Sequence, residues 1–356
     1  MTILNDTEAM RALDPDEMLR RIREFPQQVR DAWANVSQWE PGEAQASRPH
    51  EILVLGMGGS AIGADLVAGL LADELPVPLL VYRGYGLPAW VDGDTLVVAS
   101  SYSGGTEETL SGWEEAGNRG ARRLAVTTGG KLGKAAGEAG VPLLTFEYDS
   151  QPRAALGHSF TLMLGLLWKL GLIEDPSLKV EAAAALLEQV QEEWQPEVPL
   201  DGNWPKQIAA WWHGHLPVVF GAEHLTVIAR RWTTQLNENA KHWGLWAEMP
   251  ELNHNIVVGF DHPPMMQEGT RVICLRSEQY HERISARFDI TTRLLEQASV
   301  EWGSIEAVGD DRVSELLWMN LLGDYATYYL ALLNGVDPTP VEPISQLKSK
   351  LAELSG

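Results

Sequence analysis

Ile52-Leu53-Val54-Leu55-Gly56-Met57-Gly58-Gly59-Ser60-Ala61-Ile62-Gly63 is the stretch that decides how this chain folds. Four consecutive apolar residues, short and bounded, predict a strand buried on both faces, the kind found inside parallel sheets. Three glycines and a serine follow within five positions, and a helical pattern runs from Ala61 to Leu71. Strand, glycine loop and helix together present free backbone N–H groups and a helix N-terminus to an anion. Gly56-x-Gly58-x-x-Ala61 also fits a dinucleotide fingerprint. That site calls for an acid about 20 residues on. The next strand, Leu79 to Tyr82, ends in Arg83 and Gly84, which leaves only an NADP-type variant of that reading.

A second loop sharpens the first. Thr95 to Ser100 reads as another buried strand and runs into Ser101-Tyr102-Ser103-Gly104-Gly105-Thr106-Glu107-Glu108-Thr109. Helix capping needs one hydroxyl. Ser101, Ser103 and Thr106 supply three, with two glycines between them, directly before a helix. Hydroxyls and N-terminal amides are phosphate ligands, and the helix dipole favours the charge.

Outward from these loops, strands and helices alternate. Ile52–Leu55, Leu79–Tyr82, Thr95–Ser100, Arg123–Thr127 and Pro142–Phe146 are the expected strands of a parallel sheet covered on both faces. Ligands of such sheets sit beyond the carboxyl ends of the strands, where both loops fall. After a polar, Pro- and Gly-bearing stretch at Glu197 to Trp204 the pattern restarts. Pro217 to Gly221 reads as a strand followed by a helix from His224 to Lys241, and Arg271–Leu275 and Ser299–Trp302 are further strands. The expected organisation is N-terminal helices and a loop over 1–50, one α/β half over 51–195 and a second over 205–356. The second keeps strand, glycine and helix without the glycine triplet.

Composition excludes several classes. The net charge is −22 over 356 residues, which argues against a nucleic-acid partner. An anionic substrate therefore needs a local cradle of amides and cations. Cys274 is the single cysteine, which rules out an intrachain disulfide and fits a reducing cytoplasm. No apolar run reaches the roughly 18 residues of a membrane span. The N-terminal residues carry acids rather than a signal-peptide core.

The combination of G-M-G-G-S-A-I-G, S-Y-S-G-G-T-E-E-T and Gln151-Pro152-Arg153-Ala154 resembles the sugar isomerase (SIS) superfamily. Within it, the chain is similar to the bifunctional phosphoglucose/phosphomannose isomerases, from about Glu51 to Lys348. The resemblance implies two SIS-type, flavodoxin-like halves, each a doubly wound parallel sheet, with extra N- and C-terminal helices. It implies an aldose–ketose isomerase that interconverts glucose 6-phosphate and mannose 6-phosphate with fructose 6-phosphate through a cis-enediolate. No cofactor and no metal is expected. A homodimer with the site near its interface is expected, with no membrane partner.

The resemblance also implies roles for residues that pattern alone leaves open. Glu238, in Asn237-Glu238-Asn239-Ala240-Lys241, reads by itself as a solvated helix residue; the resembled motif makes it the proton-abstracting base. His254, between Asn253 and Asn255, reads as an ordinary loop histidine without a ligand cluster beside it; the resemblance places it in ring opening. Lys348 reads as a surface lysine; the resemblance assigns it to ring opening from a tail folded over the site. Gly59, Ser60, Ser101, Ser103, Thr106 and Arg153 are the expected phosphate ligands. Thr339 and Ser345 are the small residues expected near the reacting edge. Ile256 stands where the family commonly has glutamate, and Gly105 where it commonly has asparagine. The alternatives are a non-catalytic sugar-phosphate-binding SIS protein, another SIS sugar-phosphate isomerase or an aminosugar-phosphate enzyme.

Overall fold

The computed structural model describes residues 2–42 and 48–354. The loop expected over Glu40 to Pro49 therefore lies partly outside the described residues. Three helices come first: α1 (Thr7–Ala12), α2 (Met18–Arg23) and α3 (Phe25–Gln38). Pro26 sits in the first turn of α3, where its missing N–H costs nothing, so the break falls before it rather than at it.

The first sheet follows, built from β1 (Glu51–Leu55), then α4 (Gly59–Leu70), β2 (Leu79–Tyr82), β3 (Thr95–Ser101), α5 (Glu107–Asn118), β4 (Arg122–Thr127), α6 (Gly130–Ala139) and β5 (Leu143–Thr145). Its order is β2-β1-β3-β4-β5 and every pairing is parallel. Ile52–Leu55 and the whole of β3 are buried, as apolar strands covered on both faces must be. Two helices, α7 (Leu156–Lys169) and α8 (Ser177–Gln191), then lead to α9 (Trp204–Trp212).

The second sheet comprises β6 (Leu216–Ala222), α10 (Thr226–Glu238), β7 (Leu245–Met249), α11 (Met265–Gly269), β8 (Thr270–Arg276), α12 (Glu282–Gln297) and β9 (Glu301–Glu306). Its parallel order, β7-β6-β8-β9, repeats that of the first four strands of the other sheet. Helix α13 (Arg312–Leu333) is buried over nearly its whole length, a mostly apolar helix that also takes Glu315, Asn320, Asp324 and Thr327 into the interior. It packs against α8, α9 and α10. Helix α14 (Glu342–Leu354) ends the described chain.

The stretch Glu197 to Trp204, open in sequence, is held tightly. Lys206 is fully buried, and its ammonium donates to the carbonyls of Leu4 (2.6 Å), Pro196 (2.7 Å) and Val198 (2.7 Å). No helix among the described residues is long and apolar enough to cross a membrane.

Candidate active site

In both sheets the strand order reverses direction between the first and third strands, which is where doubly wound sheets bind ligands. In the first sheet this point lies beyond β1 and β3. Gly58 caps α4 with φ +52°, a backbone conformation glycine adopts without a steric cost. A Cβ on Gly59 would stand 2.4 Å from the carbonyl oxygen of Pro152 and 2.9 Å from the nitrogen of Arg153. Only glycine lets the first turn of α4 lie against the Pro152–Arg153 backbone.

The hydroxyls of the two loops interlock. Ser60 Oγ accepts from Tyr102 N at 2.9 Å, and Ser100 Oγ donates to Ser60 O at 2.9 Å. Ser101 Oγ and Thr106 Oγ1 are 3.1 Å apart, and Ser103 Oγ accepts from Gly105 N at 3.3 Å. Thr106 holds the N-cap position of α5 yet its side chain makes no capping bond; its hydroxyl turns to Ser101 instead. The Tyr102 hydroxyl donates to Tyr148 O and accepts from Ser150 N at 2.9 Å, tying this loop to the segment that leads to Arg153.

Arg153 is grouped by sequence with the phosphate ligands. The structure turns its guanidinium the other way, towards the second half. Only 3% exposed, it donates through Nε to Asn239 Oδ1 (2.9 Å) and through Nη2 to the carbonyls of Pro338 (2.9 Å) and Thr339 (2.6 Å). Its Nη1 is 3.8 Å from Glu238 Oε2. Burial lowers the guanidinium's proton affinity, and the carboxylate of Glu238 works against that shift.

Glu238 is the last residue of α10, three residues short of the helix end expected from sequence. Lys241 has φ +51°, which folds its ammonium back as a cap. Its Nζ donates to the carbonyls of Glu238 (2.9 Å), Asn239 (3.3 Å) and Pro338 (3.0 Å). Burial of the ammonium, and next the charge of Arg153, push it down to about 8. The Glu238 carboxylate, 28% exposed, opens onto a cavity of about 650 Å³ lined also by Asn237, Lys241, His242, Trp243, Asp337 and the first turn of α14. Thr339 Oγ1 is buried beside Arg153 without a hydrogen-bond partner.

His254 and Lys348 lie elsewhere. His254 is exposed in the turn Glu251–His254 and does not line the Glu238 cavity. Its neighbours are anchored: Asn253 Nδ2 donates to Thr291 Oγ1 (2.8 Å), Arg287 Nη1 to Asn253 Oδ1 (3.1 Å) and Asn255 Nδ2 to Glu251 Oε1 (2.7 Å). The Glu251 carboxylate is engaged by Asn255, and Ile256 is exposed. Lys348 is exposed on α14; only the start of that helix walls the cavity.

The second sheet repeats the turn and closes it. Glu223, which follows Gly221 as Gly58 follows Gly56, has φ +45° despite carrying a side chain. The next residue, His224, is buried with its Nε2 2.8 Å from Glu315 Oε2, which also accepts from Ser277 Oγ at 2.6 Å. Burial pushes the Glu315 carboxyl up, but hydrogen bonds from His224 and Ser277 outweigh it and hold the group below its ordinary range. A carboxylate of the chain itself sits at this switch point. Among the described residues, no group of three or more His, Cys, Asp or Glu is placed to hold a metal ion.

Arg231, Asp324 and Thr327, which belong to no motif of the sequence, stand behind Arg153. The available signal was Asp324 itself: a carboxylate inside a long apolar helix has to be paired or hydrogen-bonded.

Two parallel sheets that share the strand order β2-β1-β3-β4 and β7-β6-β8-β9 define a SIS-type α/β protein. The Bacterial phospho-glucose isomerase C-terminal SIS domain family matches residues 202–351. The bifunctional phosphoglucose/phosphomannose isomerase of Caldicellulosiruptor bescii is 38% identical over 341 residues, covering 95% of this chain and 99% of its own. The enzyme of the same name from Aquifex aeolicus is 33% identical over 324 residues, covering 91% and 97%. The crystal structure of a hypothetical protein from Thermus thermophilus superposes with a TM-score of 0.76 at 19% identity, over 98% of this chain and 94% of that one, a likeness of fold. The chain belongs to the bifunctional phosphoglucose/phosphomannose isomerase family.

Proposed function

We propose that this chain interconverts glucose 6-phosphate and mannose 6-phosphate with fructose 6-phosphate. The observation that carries this reading is the placement of Arg153. Its backbone lies against Gly59 in the anion loop, and its guanidinium faces Glu238. A sugar phosphate fits such a pair of sites with its phosphate at one end and C1–C2 at the other.

The phosphate is held by Ser60, Ser101, Ser103, Thr106 and the amides at the starts of α4 and α5. Glu238 takes the proton from C2 of the open-chain aldose. The electron pair forms the C1–C2 double bond, and the carbonyl oxygen on C1 becomes the enediolate oxygen. Arg153, a fixed and buried cation, meets that charge, the kind of preorganised group that stabilises it most. The proton on the C2 oxygen passes to the C1 oxygen, and the carboxyl returns its proton to C1 as C2 becomes the carbonyl. Arg153 thus moves from the phosphate end to the reacting end. Because C2 is flat in the intermediate, one intermediate serves both epimers.

Ring opening remains with His254 and Lys348, as the family resemblance implies. Both are exposed and stand outside the Glu238 cavity, so we assign the working form to a homodimer in which a second copy completes the site. Apolar residues exposed near each favour this: Ile256 and Val258 beside His254, and Ile344, Leu347 and Leu351 along α14. The test is to mix two inactive variants, Glu238→Gln and His254→Ala. Recovered activity supports a shared site; none in a mixture shown to exchange subunits removes it. The isomerase reading itself is tested by supplying glucose 6-phosphate without any cofactor and following fructose 6-phosphate.

A further inference from the structure

Arg153 is held from behind by side chains that do not line the Glu238 cavity. Asp324 and Thr327 stand one turn apart on α13 and so share a face. On one arm, Asp324 Oδ1 lies 3.6 Å from Arg231 Nη2, and that same nitrogen donates to Arg153 O at 2.6 Å. Gln235 Nε2 (2.7 Å) and Asn320 Nδ2 (2.9 Å) fix the two Asp324 oxygens. On the other arm, Thr327 Oγ1 accepts from Asn239 Nδ2 at 3.3 Å, and Asn239 Oδ1 accepts from Arg153 Nε at 2.9 Å. One arm fixes the backbone of Arg153 and the other its guanidinium.

Charge makes the first arm necessary. Arg153 and Arg231 are 3% and 2% exposed, two cations buried side by side. Asp324 is the buried anion against them, and a buried charge without a counter-charge is expensive. Arg231 pushes the Arg153 guanidinium towards losing its proton, and Asp324 opposes that push.

We propose that Asp324 and Thr327 are the positioning residues of Arg153, acting through Arg231 and Asn239 respectively. The proposal rests on the isomerase reading above. Neither residue belongs to the phosphate loops after β1 and β3, so ground-state binding is spared. What they set is how well the guanidinium meets charge that develops only in the intermediate.

The test is Asp324→Asn in the full chain, which keeps the shape and removes the charge. A misplaced catalytic group lowers turnover steeply, here about 10- to 100-fold in kcat. KM for fructose 6-phosphate stays within about threefold, since uniform binding is untouched. Inhibition by inorganic phosphate is unchanged. The affinity for a phosphorylated aldonohydroxamate, a planar anionic analogue of the enediolate, falls by the same factor as kcat. A purely structural role lowers the folded fraction and leaves that affinity intact. Should Asp324→Asn fail to fold, Thr327→Val, nearly isosteric, carries the test through the other arm, with a loss of roughly fivefold in both quantities. A folded variant that keeps the analogue's affinity within twofold overturns the proposal. A wild-type chain without isomerase activity overturns the isomerase reading and this proposal together.

Discussion

Arg153 Nη1 stands 3.8 Å from Glu238 Oε2, the one residue leading into α7 behind the first sheet and the other ending α10 in the second half. The separation exceeds a hydrogen bond, so charge is paired while both carboxylate oxygens stay clear of the guanidinium fork. The carboxylate keeps its access to the cavity, with the cation beside it.

Glu238→Gln keeps the size of the side chain and removes the base. We predict a folded protein that still binds fructose 6-phosphate, with kcat lower by roughly 10²–10⁴-fold. Titration calorimetry with fructose 6-phosphate, beside a turnover assay, checks both halves. Wild-type turnover in this variant assigns the base elsewhere.

Arg153→Lys tests the change of role given to this residue. Lysine keeps the charge but cannot satisfy Asn239, Pro338 and Thr339 in the plane of a fork. If Arg153 serves the intermediate, kcat falls by about 10²–10³-fold. KM then changes little. A rise in KM with kcat preserved returns Arg153 to the phosphate end.

Ser101→Ala with Thr106→Ala tests the phosphate loop. The two hydroxyls are partners at 3.1 Å, so removing both avoids orphaning one. KM for glucose 6-phosphate rises by at least about tenfold while kcat stays within about threefold, the signature of lost uniform binding. An unchanged KM removes these hydroxyls from the phosphate site.

We predict that Lys241 makes activity fall with rising pH. Its ammonium, pushed down to about 8, loses its proton as pH passes that value. The carbonyls of Glu238, Asn239 and Pro338 then share fewer donors, and the base loosens. The alkaline limb of kcat/KM lies near pH 8 and moves up by at least about one unit in Lys241→Arg. Stability runs the other way. The folded pKa lies below the unfolded value of 10.5, so the unfolded chain binds more protons above pH 8 and folding gains as pH rises towards 10.5. Lys206, also pushed to about 8, adds to the same trend. Melting measured from about pH 7.5 to 9 therefore separates lost activity from lost structure.

The first sheet was legible because its strands are short, apolar and followed by glycine and hydroxyl loops that few other structures need. Strand β7 was not: of Leu245–Met249 only Ala247 and Met249 are buried, as befits a sheet edge, and the run has no strand periodicity to read. Helix α9, with its tryptophans and alanines behind a proline, was hidden inside what read as a linker and its continuation. The orientation of Arg153 was illegible for a different reason. Its partners come from the end of α10 and from Pro338–Thr339, segments that meet only when the two halves pack. The closed second switch point depends likewise on Glu315 reaching in from α13.

The central claim is that one pocket, with Glu238 as its base, serves both epimers. The most direct measurement supplies glucose 6-phosphate and mannose 6-phosphate, singly and together, to the purified chain and to Glu238→Gln, and follows fructose 6-phosphate. The expected result is that the wild-type chain converts both sugars with kcat/KM values within about 30-fold, roughly 2 kcal/mol. Each sugar inhibits the other at its own KM, and Glu238→Gln loses both activities. Conversion of either sugar that survives in Glu238→Gln, or a wild-type chain that converts only one, contradicts it.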